Sequence, residues 1–172
     1  SWKVVPAATS YQIYRSTAKD GDYQNIKTIN SVGTSSWTDG SVKTGKTYYY
    51  KIKTVVKTQN GEQTSGFSNV KSAKAVPAKT TLKAKASDAK NVKLTWSKVK
   101  GASGLDIYRS NSKDGKCSKV KTISKGSTTS YKNGKLKKST TYYYKIRAYR
   151  KVNGKKVYGS YSSVVSVKTK AK

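Results

Sequence analysis

The chain contains no histidine and no methionine, a single cysteine (Cys117), and 7 Asp+Glu against 37 Lys+Arg in 172 residues. Each shortage removes a class of chemistry. Without histidine or paired cysteines, zinc sites, Ser-His and Cys-His triads and a disulfide framework lack their ingredients. With so few carboxylates, acid/base pairs are scarce. No apolar run approaches the ~20 residues of a membrane-spanning helix. No cofactor and no metal are expected, and the inventory points away from an enzyme.

What is present is strongly basic. The formal net charge is +30 and hydrophobic residues make up 34%, a combination usual in disordered chains. The 14 Tyr and 3 Trp argue for a folded chain instead. Val, Ile, Thr and Tyr stand in alternating runs such as Tyr48-Tyr49-Tyr50-Lys51-Ile52-Lys53, the pattern of half-buried strands.

An internal repeat organises the whole. Shifted by 94 positions, Trp2 falls on Trp96, Ile13-Tyr14-Arg15-Ser16 on Ile107-Tyr108-Arg109-Ser110, and Thr47-Tyr48-Tyr49-Tyr50-Lys51-Ile52 on Thr141-Tyr142-Tyr143-Tyr144-Lys145-Ile146. A one-residue slip between Asn60-Gly61 and Asn153-Gly154 is recovered at Ser68 and Ser162, as expected of a hairpin loop. The boundary is expected beside Pro77, giving domains 1–75 and 76–172. In the second repeat, strands are expected at about 80–86, 92–97, 105–110, 118–123, 127–131, 141–149 and 156–169, the last broken near Gly159. Asp114-Gly115 and Asn153-Gly154 read as hairpin turns that use positive φ.

Both repeats resemble the fibronectin type III domain. Val92-x-Leu94-x-Trp96 resembles its second strand. Leu136-Lys137-Lys138-Ser139-Thr140-Thr141-Tyr142-Tyr143-Tyr144-Lys145-Ile146-Arg147-Ala148 resembles its Leu-x-Pro-Gly-Thr-x-Tyr segment without the Pro and Gly; the first repeat keeps the glycine as Gly45. The resemblance implies an all-β fold of two immunoglobulin-like sandwiches in tandem. The Lys-rich, Tyr-Tyr-Tyr style is similar to versions in secreted or surface proteins of Gram-positive bacteria, which implies an extracellular location.

Nineteen residues, Pro77 to Thr95, precede Trp96, whereas only Ser1 precedes Trp2. The resemblance therefore implies that the first domain lacks strand A and most of strand B. Its core is expected to be open, as in a piece of a longer modular protein, with an upstream segment or a second copy completing it.

Period 2 sorts the side chains. Val92, Leu94, Trp96, Leu105, Ile107, Tyr144, Ile146 and Ala148 are expected in the core, with Tyr142 as the tyrosine corner of the family. Asp106, Tyr108, Tyr143, Lys145, Arg147 and Tyr149 are expected to face solvent. Tyr14, Tyr49 and Lys51 occupy the matching positions of the first repeat. These Tyr/Lys faces form the candidate binding surface: rings stack on sugars or contact a partner, and ammonium groups attract anions. The competing reading is that the same pairs only stabilise the sheet. Asp20-Gly21-Asp22 reads as a turn rather than a calcium site, and Cys117 as a buried free thiol.

The charge admits polyanion partners such as teichoic acid or sulfated glycans, or a host surface protein. Only Arg15, Arg109, Arg147 and Arg150 supply the bidentate fork that base reading favours, so sequence-specific nucleic-acid recognition is not expected. The leading expectation is a non-enzymatic extracellular spacer or adhesion module binding anionic wall polymers, glycans or a host surface. The alternatives are a released polypeptide acting hormone-like on a host receptor, and an accessory module of a wall-degrading or carbohydrate-active enzyme.

Overall fold

The computed structural model describes residues 1–172. The chain is all-β, with thirteen antiparallel strands and no helix, so no helix is long and apolar enough to cross a membrane. It divides into two compact units, Ser1–Ala75 and Val76–Lys172.

Unit 1 is one sheet. Strands β1 (Ser10–Ser16), β2 (Gln24–Ile29), β3 (Thr47–Thr58) and β4 (Gly61–Thr64) lie in the order β2-β1-β3-β4. Strand β5 (Lys71–Lys74) pairs with the first half of β3, and β4 with the second half.

Unit 2 builds the same sheet from β8 (Gly104–Ser110), β9 (Ser118–Ile123), β11 (Thr141–Val152), β12 (Lys155–Tyr158) and β13 (Val165–Lys168), in the order β12-β11-β8-β9 with β13 on β11. It adds a three-stranded sheet, β6 (Leu82–Ala86), β7 (Val92–Trp96) and β10 (Ser130–Asn133), in the order β10-β7-β6. The pair makes an immunoglobulin-like β-sandwich of the kind the fibronectin type III resemblance implies, with β6 and β7 in the sheet that unit 1 lacks.

Alternation builds the core of unit 2. Leu82, Val92, Leu94 and Trp96 from one sheet meet Leu105, Ile107, Tyr142, Tyr144, Ile146 and Ala148 from the other, all buried. The hydroxyl of Tyr142 accepts a bond from the Lys137 amide at 2.9 Å, and that of Tyr48 one from the Lys43 amide at 3.0 Å, so both repeats form the tyrosine corner. Both also place a β-bulge after the same position, at Ile107/Tyr108 and Ile13/Tyr14. The final expected strand splits into β12 and β13 across Gly159, where a side chain would collide with the Pro77 backbone.

Two local expectations need correction. The strand expected at 127–131 forms at Ser130–Asn133, because Trp96 takes the Thr129 carbonyl by its backbone and the Thr128 carbonyl by its indole, leaving the preceding segment as an irregular edge. Asn153 and Gly154 do adopt positive φ (48° and 75°), but Asp114-Gly115 does not. The β8–β9 connection is longer than two residues and closes through a Gly115 amide bond to the Ser112 carbonyl, so mirror-image turn geometry is not required.

Candidate functional site

The outer face of the larger sheet in unit 2 carries the expected Tyr/Lys cluster, and its geometry is self-contained. Tyr108 stands directly across from Lys145, and Asp106 across from Arg147. Arg147 lies over the rings of Tyr158 (3.8 Å), Tyr161 (4.7 Å) and Tyr108 (5.5 Å), and donates to the Tyr108 hydroxyl at 2.9 Å. Lys145 sits 4.5 Å from the centre of Tyr161. The cations that were expected to await a ligand are already spent on neighbouring rings. The Arg147 Nε is buried without a hydrogen-bond partner, which marks the cage as tight rather than open.

Asp106 and Tyr149 correct the expectation of solvent exposure. Asp106 is 0% exposed and Tyr149 1%. Both point to the outer side of the sheet, but β12 folds its long side chains over them. Asp106 accepts from Thr122 (2.8 Å), Tyr158 (2.9 Å) and Lys156 (3.3 Å), with Lys119 at 3.7 Å. Burial pushes this carboxyl up, but those bonds outweigh it and hold it below its ordinary value. Tyr149 packs edge-on against Tyr158, with Lys156 above its ring at 4.0 Å. Tyr149 is thus unavailable to a ligand. Period 2 assigns a side of the sheet, and only the neighbouring hairpin decides whether that side is wet.

Unit 1 assembles the matching part of its outer face from lysines and aromatic rings with no buried acid beneath them; its one carboxylate there, Glu62, pairs with Lys57 at 3.6 Å at the exposed end. Tyr14 stands across from Lys51 and packs edge-on against Phe67 at 4.9 Å. Lys51 approaches Phe67 (3.8 Å) and Tyr23 (4.1 Å), and Lys53 approaches Phe67 (4.4 Å). Gln12 and Lys53 hold the places of Asp106 and Arg147. Phe67 is 44% exposed, so this platform remains partly open. Sequence reading passed over Phe67; its alignment with Tyr161, one residue before the recovered Ser68/Ser162 match, was the available signal. Tyr49 and Tyr143 are half-buried on the same faces, set across from Ser16 and Ser72, and from Ser110 and Ser166.

The inner face of unit 1 opens on a cleft of 780 Å³ lined by Trp2, Tyr11, Trp37, Tyr48, Tyr50 and Ile52 among others. At its edge Asp39 accepts from Arg15 (2.7 Å) and Tyr50 (3.0 Å). Burial raises the Asp39 carboxyl, yet bonds from Ser41, Arg15 and Tyr50 bring it below its ordinary value. Burial and the bond to Asp39 push the Tyr50 hydroxyl up to about 12. In unit 2 the equivalent partner is neutral: Asn133 accepts from Tyr144 (2.8 Å) and Arg109 (3.2 Å).

No group of three or more His, Cys, Asp or Glu side chains comes together in a metal-holding arrangement. Asp20 and Asp22 are exposed in the β1–β2 turn. Cys117 is half-buried rather than buried: it holds the place of Tyr23 in unit 1 and lies between the exposed Lys116 and Ser118 where the β8–β9 loop enters β9.

No protein-family profile matches the chain. A segment of 55 residues is 44% identical to amylopullulanase from Thermoanaerobacter thermohydrosulfuricus, covering 32% of this chain and 4% of that protein. Among solved structures, the chain is similar to the chicken CNTN1 FN1-FN3 domains, with 20% identity, 94% of this chain and 56% of that one covered, and a TM-score of 0.48. It is also similar to the 6th fibronectin type III domain from human fibronectin type III domain containing protein 3, with 17% identity, 58% and 92% covered, and a TM-score of 0.48.

Proposed function

We propose that the chain is a non-catalytic module of a longer, secreted or surface-attached bacterial protein, and that it holds its parent against anionic wall polymers by salt-sensitive contact. The observation that carries this reading is where the charge lies. Unit 2 has 26 Lys+Arg against 3 Asp+Glu, a net +23 of the total +30. Only Lys119 and Lys156 of those cations reach a carboxylate, and both reach Asp106. The remaining field is uncompensated and attracts anions over a Debye length of ~8 to 10 Å at physiological salt. The test is retention on purified Gram-positive cell walls across a salt series. Retention at about 50 mM salt and release by about 500 mM is expected; passage through the column at low salt overturns it.

The segment similar to amylopullulanase favours a second reading, an accessory module of a carbohydrate-active enzyme, with the Phe67 and Tyr14 platform contacting glucan. Rings stack on sugar faces without needing charge. Binding to insoluble starch that survives high salt and is lost in Phe67→Ala would favour this reading over the first.

A further inference from the structure

We propose that the outer face of the β6–β7–β10 sheet is the surface on which unit 2 holds its polyanion, and that the polymer is a flexible chain of phosphodiesters carrying no aromatic bases. This deepens the wall-polymer reading and rests on it. Cross-strand register brings the surface together. Lys85 stands directly across from Lys93, and Lys93 directly across from Lys132, so three lysines form one row over three adjacent strands. In the next row Lys83 stands across from Thr95, and Thr95 across from Ser130. The outward positions of the sheet therefore hold four lysines and two hydroxyl residues, with no acid, arginine or aromatic ring among them. All four lysines are exposed.

Like charges placed directly opposite one another destabilise a sheet. Adjacent strands lie about 4.8 Å apart, well inside a Debye length of ~8 to 10 Å, so solvent ions screen the row only in part. The fold offsets it at one end only, where Asp88 attracts Lys132. That acid, in the β6–β7 turn, is held by the Lys90 amide (2.8 Å) and the Asn91 side chain (2.8 and 2.9 Å) and forms no ion pair with Lys85 or Lys93. The other sheet resolves the same problem with Asp106 and stacked rings. A row that costs stability when empty and is relieved by an external anion has the charge complementarity of a binding surface.

The residue types select the partner. Lysine offers a compact charge that tolerates any phosphate geometry, whereas base reading and base stacking need Arg forks and aromatic faces. Neither is present on the outer face of this sheet. The three-stranded sheet exists only in unit 2, so unit 1 is not expected to share the surface.

The test uses the full chain, poly(glycerol phosphate) as the probe, and two variants with the same change of charge. One is Lys85→Gln/Lys93→Gln/Lys132→Gln. The control is Lys113→Gln/Lys121→Gln/Lys151→Gln, three exposed positions on the other sheet and its loops. The row variant is expected to lose about tenfold or more in affinity at low salt, and its slope of log affinity against log salt is expected to fall by about 2. Its unit 2 is expected to melt about 2 to 5 °C higher without polymer, as the repulsion is removed. The control is expected to lose less than half as much affinity and to melt unchanged. Equal losses in the two variants overturn the row while leaving general wall attraction standing. No binding by the unsubstituted chain overturns both. Duplex DNA bound as tightly, with the same dependence on the row, overturns the assigned partner class.

Discussion

The two repeats share a framework and differ in what covers its two faces. In unit 2 the inner face of the larger sheet is closed by β6, β7 and β10, and Ile107, Tyr144 and Ile146 are all 0% exposed. In unit 1 the same inner face lines a cleft, and Tyr50 and Ile52, the counterparts of Tyr144 and Ile146, are half-buried. Outside, unit 2 locks an acid beneath lysines and rings, whereas unit 1 has Gln12 bonded to Tyr14 in that acid's place and Lys53 against Phe67. One alternating pattern thus supports a packed side chain or a wet one, depending on a neighbouring element.

The largest effect should come from cutting matched side chains out of the two inner faces. Ile146→Ala removes three carbons from a closed core and is expected to destabilise unit 2 by about 3 kcal/mol, from lost burial plus a residual cavity. Ile52→Ala removes the same atoms beside the cleft, where water already reaches, and is expected to cost about 1 kcal/mol in unit 1. Native-state hydrogen exchange reads each unit separately in the full chain. Equal losses would mean that the inner face of unit 1 is as dry in solution as that of unit 2.

The outer faces should separate next. Asp106→Ala strands Thr122, Tyr158 and Lys156 and is expected to cost unit 2 about 2 kcal/mol. Gln12→Ala at the matching place breaks one bond, from the Tyr14 hydroxyl at 2.9 Å, and is expected to cost about 0.5 kcal/mol. The acid also sets a pH signature. The Asp106 carboxyl is held below its unfolded value, so its contribution is fully present above the ordinary carboxylate range and is lost as pH falls below about 4. Asp106→Asn should flatten that part of the acid limb for unit 2. Unit 1 keeps an acid limb of its own through Asp39, whose carboxyl is depressed in the same way. An unchanged acid limb in Asp106→Asn would remove Asp106 from this role.

Much of this was legible in the chain. The fibronectin type III resemblance set Trp96 and the tyrosine corner inward, and period 2 then placed Leu94, Ile107 and Ile146, because those positions depend on backbone alternation alone. Asp106 and Tyr149 were misplaced because their burial depends on the reach of Lys156 and Tyr158 across a hairpin, which alternation does not encode. The lysine row was hidden for a related reason. Lys83, Lys85, Lys93 and Lys132 each read as outward, but their alignment in rows follows from registers between strands separated by an irregular segment. Phe67 was missed because it precedes the point where the repeat regains its phase.

The smallest effect tests a position where the repeats differ by one backbone demand. Gly45 in unit 1 has φ 89°, and Ser139, its counterpart in unit 2, sits at φ 51°. A left-handed conformation is easy for glycine and unfavourable for serine, whose Cβ crowds its own backbone. The Ser139 amide also bonds to the Lys170 carbonyl at 3.1 Å, so the turn is held in place by the segment that follows β13. Ser139→Gly is therefore expected to stabilise unit 2 by about 0.5 to 1 kcal/mol despite the extra freedom glycine gives the unfolded chain. The reverse change, Gly45→Ser, should cost unit 1 a similar amount, because its turn is pinned alike by the Gly45 amide on the Ala75 carbonyl at 2.8 Å. Loss of stability in Ser139→Gly would mean that unfolded-state entropy outweighs the relief of strain. The serine would then be the better residue in unit 2.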